Sequence, residues 1–273
     1  YFLMKTLKYI RSINYKHRKD ENEEFFVNID DWIKSPYSCL KARYYIEISS
    51  LIVYILQFTK ITPNFVSVIY SLAGLLSGIL LCFDHKNLIY SGLLIFFLKG
   101  VIDWSDGLLA RVTRQTSNIG HIIDTWGSHV GYHSLIFGIG FICFNSNNEI
   151  IYLYITIVIF IISLMDFKIF SYHQLFYEIS NYKIKIKKKN TKKLPKKNLK
   201  NLNLNRLKFY LSYFMDDRSR TLDLIYLIIF LEVLNNNIFY TKIILILFLL
   251  KKILNFFGNF IEIIFLKKLK NIV

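Results

Sequence analysis

Asp103-Trp104-Ser105-Asp106-Gly107-Leu108-Leu109-Ala110-Arg111, then eight residues to Gly120 and three more to Asp124, is the stretch that decides how this chain is read. On a helix, residues three or four apart share a face, so Asp103, Asp106 and Ala110 form one stripe. Gly120, Asp124 and Ser128 form another on the helix that follows. The flanks are apolar on both sides, which puts three carboxylates at a membrane boundary, where such groups are expensive and by default functional. They need a cation. Two helices joined by a short loop are antiparallel neighbours, so the stripes converge on one pocket with oxygen ligands suited to Mg²⁺ or Mn²⁺. Such an ion keeps waters and accepts phosphate oxygens, which points to a diphosphate substrate. Gly107, Ala110 and Gly120 let a ligand approach the backbone closely. Arg111 pairs with a phosphate or locks Asp106 or Asp124 in place.

The pattern resembles the signature of the CDP-alcohol phosphotransferase family, D-x2-D-G-x2-A-R-x8-G-x3-D-x3-D. Every position matches except the last, where Ser128 stands in place of the fourth aspartate. The resemblance spans roughly residues 60 to 260 and is concentrated in the motif; Thr62-Pro63-Asn64 also resembles the family's entry to its first span. It implies a six-helix core, a homodimer, and a reaction in which an acceptor hydroxyl displaces CMP from a CDP-alcohol such as CDP-diacylglycerol. Carried over by position, Asp103, Asp106 and Asp124 become metal ligands. Gly107, Ala110, Arg111 and Gly120 become nucleotide contacts, with Thr116 and Ser117 beside them. The fourth aspartate is the family's base for the acceptor proton, and loss of a positioned base typically forfeits about 10²- to 10⁴-fold in rate. His121, one turn before Asp124 and about 60° from it around the helix, is the first candidate replacement. His129 and His133 follow, and for each histidine the alternative is a polar contact between helices. A catalytically silent member that keeps nucleotide and metal binding, or the fold alone, is the alternative reading of Ser128. A transporter with acids along a path is disfavoured, because these acids cluster at one end.

Composition agrees with a membrane protein. The chain has 273 residues, 53% hydrophobic and 17% aromatic, with a formal charge of +16, and its mean hydropathy is positive. Apolar spans with basic loops reconcile grease with charge; a soluble nucleic-acid binder would not carry several stretches near the roughly 20 residues a bilayer needs. Cys39, Cys82 and Cys143 form no CxxC pair and read as buried thiols. The opening does not resemble a cleavable signal peptide, and Tyr1 need not be the natural start.

The expected fold class is all-α, polytopic, with six transmembrane helices and an N-terminal interfacial helix. Residues 1–41 form a polar cytosolic lead-in and residues 42–60 an amphipathic interfacial helix carrying Arg43 and Glu47. The membrane domain occupies 61–262, with a lysine-rich cytosolic loop at 173–217, and a basic tail fills 263–273. Spans are expected at about 65–83, 88 into the motif, 119–144, 150–172, 221–234 and 238–250 or beyond. Pro63 suits the first turn of its helix, with Thr62 placed to cap it. Alternation collects Arg111, Arg114, the lysines between Lys183 and Lys200, and the tail lysines on one face. By the positive-inside rule that face is cytosolic and holds the site. Arg218 and Arg220 open the fifth span at the same level and are candidate acceptor contacts or plain anchors. Lys99, one turn before Asp103 inside the second span, is placed to neutralise it in the apo state. Glu232 is expected to be exposed. The lysine run is a solvated loop or a contact for anionic lipid.

Overall fold

A computed structural model describes residues 5–25, 36–165 and 219–265. Every described element is helical: α1 (Leu7–Phe25), α2 (Pro36–Leu56), α3 (Pro63–Leu81), α4 (Lys86–Thr113), α5 (Asn118–Asn147), α6 (Ile151–Met165), α7 (Ser219–Leu234) and α8 (Phe239–Phe265). The lysine-rich loop, Arg218 and most of the basic tail lie outside the described residues. The chain divides into two units, residues 1–145 and 146–273.

In the first unit, α3, α4 and α5 build the frame of the site. Pro63 occupies the first turn of α3, where its missing N–H costs nothing. Thr62 is extended at the N-cap, but its hydroxyl makes no cap bond; only its carbonyl accepts, from the N–H groups of Phe65 and Val66. The side-chain cap expected of Thr62 is therefore absent. At the far end of α4 the chain reverses at Arg114, held at φ 57°, a left-handed conformation uncommon outside glycine. That residue's N–H and the N–H of Gln115 both donate to Ala110 O, which closes the helix. Ser117 then opens α5, its Oγ accepting from the Gly120 N–H at 3.0 Å.

The α3–α5 contact is a seam of small residues. Added methyls on Gly74 and Gly78 would fall 2.9 Å from the Gly131 Cα and 2.5 Å from the Ser134 Cβ, and one on Gly138 would fall 2.5 Å from the Leu81 Cβ. The pairing Asn64 with Gly120, Gly74 with Gly131 and Leu81 with Gly138 runs in one direction, so α3 and α5 are parallel. Small residues on both helices permit this close backbone approach, and the packing of the pair rests on it. Helix α4 runs antiparallel to both, with Gly92 against Ser77 and Asp106 against Ser67.

Helix α2 starts at Pro36 rather than near Ala42 and runs along the C-terminal half of α4. Tyr44 meets Phe97, and Tyr45 is edge-on to Trp104 with ring centroids 5.2 Å apart. Further along, Val53 joins Val66, Leu108, Leu109, Val112 and Ile10 in one apolar cluster. The polar lead-in contains α1, which docks on α2: buried Asn14 Nδ2 donates to Ser49 Oγ at 3.0 Å, and Arg11 pairs with Glu47 at 2.6 Å. Gln57 exchanges two hydrogen bonds with the Lys5 backbone. Cys39 and Cys143 are buried and Cys82 is half-buried, and none of the three is in a disulfide.

Helices α3 and α4 are long and apolar enough to cross a membrane; α6 is apolar but shorter over its described length. In the second unit, α7 and α8 form a hairpin around Asn236, which has a positive φ of 52°. Glu232 does not face solvent as expected but is buried at 6% exposure. Its carboxylate accepts from the N–H groups of Tyr240 and Thr241 at 2.6 and 2.7 Å and from the Thr241 hydroxyl at 2.6 Å. It closes the N-terminus of α8, where backbone donors and the helix dipole both favour an anion.

Candidate active site

The three motif acids meet where the N-terminal ends of α3 and α5 flank the C-terminal end of α4. The Asp103 and Asp124 carboxyl groups, one from each of two antiparallel helices, lie at hydrogen-bonding distance from one another. Two carboxylates that close repel unless a proton or a cation lies with them. Tyr70 of α3 and Lys99 of α4 are both within electrostatic reach of Asp103 and Asp124. Asp106 is buried. Its Oδ2 accepts from the Ser67 hydroxyl at 2.5 Å, its Oδ1 accepts from the Gly107 N–H, and it feels the charges of Asp124 and Arg111.

Gly107 lies under the guanidinium of Arg111, whose Nη1 would be 3.3 Å from an added methyl. Gly120 makes room for Asn64: a methyl there would fall 2.8 Å from Asn64 Oδ1, which also accepts from the Ser117 hydroxyl at 3.4 Å. Ser117 and Thr116 are exposed in the α4–α5 turn and Ala110 is half-buried on α4. The carboxylate and hydroxyl donors are the oxygen chemistry that Mg²⁺ or Mn²⁺ takes. Among the described residues, no three acidic, histidine or cysteine side chains are already drawn into a ligand cage.

A family model, CDP-alcohol phosphatidyltransferase, matches residues 60–197, which contain all of α3 to α6 and the acid cluster. The chain belongs to this family. Members of the CDP-alcohol phosphatidyltransferase family transfer a phosphoalcohol group from a CDP-alcohol in phospholipid synthesis. Family membership and the two long apolar helices together indicate membrane association. No curated protein matches the sequence.

Within this CDP-alcohol phosphatidyltransferase chain the remaining sequence candidates are placed unevenly. His121 falls in the first turn of α5, with its side chain outside the described set. Ser128 is exposed on α5, one turn after Asp124. His129 and His133 are half-buried, and His133 Nδ1 lies 2.8 Å from the His129 carbonyl oxygen of its own helix. Arg220 is described only as a position in the first turn of α7. Ser67, Tyr70 and Asn64 were not singled out as site residues by sequence reasoning. They come from α3, some 40 residues before the acids, and the sole signal is that Ser67 and Ser71 begin a stripe of small residues.

Proposed function

We propose that this chain moves a phosphatidyl group from CDP-diacylglycerol, or less directly a phosphoalcohol from another CDP-alcohol, to an acceptor hydroxyl and releases CMP. The observation that carries the reading is the facing pair Asp103 and Asp124, with Asp106 alongside, inside the segment matched by the family. Asp103, Asp106 and Asp124 are the residues to hold Mg²⁺ or Mn²⁺, which when bound neutralises the diphosphate and acts as a Lewis acid. Ser67 fixes the Asp106 carboxylate for that task, as outer partners of ligands generally do. Gly107 and Ala110 let the nucleotide lie close to α4, Arg111 pairs with its phosphates, and Gly120, Thr116 and Ser117 line the mouth. The acceptor oxygen bonds to the phosphorus that carries the lipid, the P–O bond to CMP breaks, and the acceptor proton passes to a base. His121 is that base, since Ser128 carries no carboxylate.

The same reading takes the core as six spans, with the site on the cytosolic face, Arg218 and Arg220 as acceptor contacts, and a homodimer in the bilayer. Basic residues collected on one side of the alternating spans support the orientation. The test is CMP release by purified protein in nanodiscs with Mn²⁺, CDP-diacylglycerol and a panel of alcohols. Release that requires metal, is lost in Asp106→Ala and is reduced in His121→Ala supports the proposal and names the acceptor. Metal-dependent CDP binding without CMP release marks a silent member, and activity that appears only in Ser128→Asp marks a site built but switched off.

A further inference from the structure

Behind α4, away from the acids, the first unit holds a pocket of about 270 Å³. It opens where α2 ends, α3 begins and α4 finishes, with Lys5 from the stretch before α1 on one side and Lys60 from the α2–α3 link on another. Its floor is apolar, since Leu109 and Val112 belong to the buried cluster that α1 to α4 share. Val112 follows Asp103 by nine residues, which at about 100° each puts it on the opposite side of the helix. None of the acid-site residues lines the pocket.

The charge of this pocket is one-sided: two lysines line it and no carboxylate does. Lys5 is held in place. Its N–H donates to Gln57 Oε1 at 3.0 Å, its carbonyl accepts from Gln57 Nε2 at 2.9 Å, and its Nζ donates to the Val112 carbonyl in the last turn of α4. An ammonium has three N–H donors, so the head group of Lys5 keeps capacity for a ligand. Lys60 is exposed and has no ion pair among the described residues. Thr62, whose hydroxyl makes no cap bond, and Gln115 add neutral polar groups at the rim. Cations and neutral donors without an acid select an anion with several oxygens, which a phosphate group supplies.

The surroundings name the source of that phosphate. Helices α3 and α4 are long and apolar enough to cross a membrane and run antiparallel, so the start of one and the end of the other stand at the same membrane boundary. Phe58, between the lining residues Gln57 and Thr59, is 55% exposed, and Leu51, Tyr54 and Ile55 continue it as an exposed apolar stripe at helical spacing along α2. A basic pocket beside an apolar stripe at a membrane boundary matches a phospholipid, with its head group in the one and an acyl chain on the other. A free phosphate has no use for the stripe.

We propose that this pocket binds the phosphate of an anionic phospholipid head group, as a site separate from the acid cluster. Nothing in it depends on the proposed reaction or on a metal at the aspartates.

Native mass spectrometry of the full chain in detergent with EDTA counts retained lipid when phosphatidylglycerol and phosphatidylcholine are offered in equal amounts. The chelator keeps metal-dependent binding at the aspartates out of the count. Wild type is expected to retain phosphatidylglycerol at least about tenfold over phosphatidylcholine, and Lys5→Gln/Lys60→Gln to fall to near parity, the scale on which two lysines act on an anionic lipid. Lys8→Gln/Lys16→Gln, which removes two exposed charges of α1 outside the pocket, and Asp106→Ala are both expected to keep the wild-type preference. Inorganic phosphate in molar excess is expected to leave the lipid bound. Circular dichroism and gel filtration establish that each variant is folded; should Lys5→Gln prove unfolded, Lys60→Glu, at an exposed position, must lose the preference by itself. No preference in wild type, a preference that survives in the pocket variants, or one that Lys8→Gln/Lys16→Gln removes equally overturns the inference. Lipid lost in Asp106→Ala but kept in Lys5→Gln/Lys60→Gln lies at the acids and overturns it too, and displacement by inorganic phosphate overturns the lipid in favour of a soluble phosphate.

Discussion

At the α3–α4–α5 end of the first unit, Asp103 and Asp124 crowd one another, with Asp106 beside them; in the α7–α8 hairpin of the second unit, Glu232 stands alone among three donors. Both regions withdraw carboxylates from water, and both do so on helices rich in apolar residues. The difference is in what surrounds the charge. Glu232 is saturated by two backbone amides and a hydroxyl at a helix N-terminus, so it is a finished structural joint. The aspartates face like charges and have only part of their capacity met by Ser67, the Gly107 N–H and Lys99. Burial of an acid is thus not the mark of a site; incomplete compensation is.

The contrast breaks most sharply at Asp124. Asp124→Asn is expected to lower CMP release by about a hundred- to a thousandfold, the scale on which loss of one preorganised group at a reacting centre is felt. The same substitution relieves the repulsion with Asp103, so the metal-free protein melts at the same or a higher temperature. A drop in melting temperature together with full activity would erase the distinction between the two regions. Glu232→Ala is expected to do the reverse. It strands the amides of Tyr240 and Thr241 at the start of α8 and costs about 2 kcal/mol of stability, the upper range for a lost cap. Mn²⁺ binding by the folded protein stays as in wild type. Thermal unfolding in detergent beside Mn²⁺ titration reads both quantities on one preparation.

A smaller effect sharpens the site further. Ser67→Ala removes the donor at 2.5 Å from Asp106 Oδ2 and is expected to weaken Mn²⁺ by about tenfold, the low end for an outer partner of a ligand. No weakening would mean that Asp106 is oriented by the Gly107 amide alone. The smallest effect belongs to Glu149, an exposed carboxylate in the turn before α6. Its hydrogen bond from Asn147, and then Lys242 at 3.8 Å, hold it below the usual glutamate range. A depressed folded value means that its contribution is complete above the ordinary glutamate pKa and fades as pH falls through the folded value. Glu149→Gln should therefore cost a small amount of stability at neutral pH, as expected of a surface pair, and match wild type at low pH, where the wild-type carboxyl is protonated; a neutral-pH loss as large as that of Glu232→Ala would make it a joint like Glu232.

The acid motif was legible because its logic is local. Spacings of three and four residues place Asp103 with Asp106 and Gly120 with Asp124 on shared faces whatever the rest of the chain does. The short turn at 114–117 then makes α4 and α5 antiparallel neighbours, which suffices to bring the two stripes together. Lys99 was legible for the same reason, one turn from Asp103 on the same helix. Glu232 was misread because its partners lie beyond the turn, on α8, and nothing in the local sequence announces that a glutamate near one helix end will close the next. The charges Arg43 and Glu47 suggested an interfacial helix, yet Glu47 is answered by Arg11 and Tyr15 of α1, a helix hidden in a polar stretch.

What the sequence determined by itself is the order of helices α3 to α5, the acid stripes and the family, since each depends on spacing within one helix or across one short turn. What the tertiary structure alone decided is which residues from elsewhere complete the site. Ser67 and Tyr70 reach the acids, and Lys99 finds its slot, because Gly74 and Gly131 let α3 and α5 run parallel at close contact. That contact is a matter of packing between segments some 57 residues apart in the chain, and the physical reason it escapes the sequence is that small residues specify close approach without specifying to what.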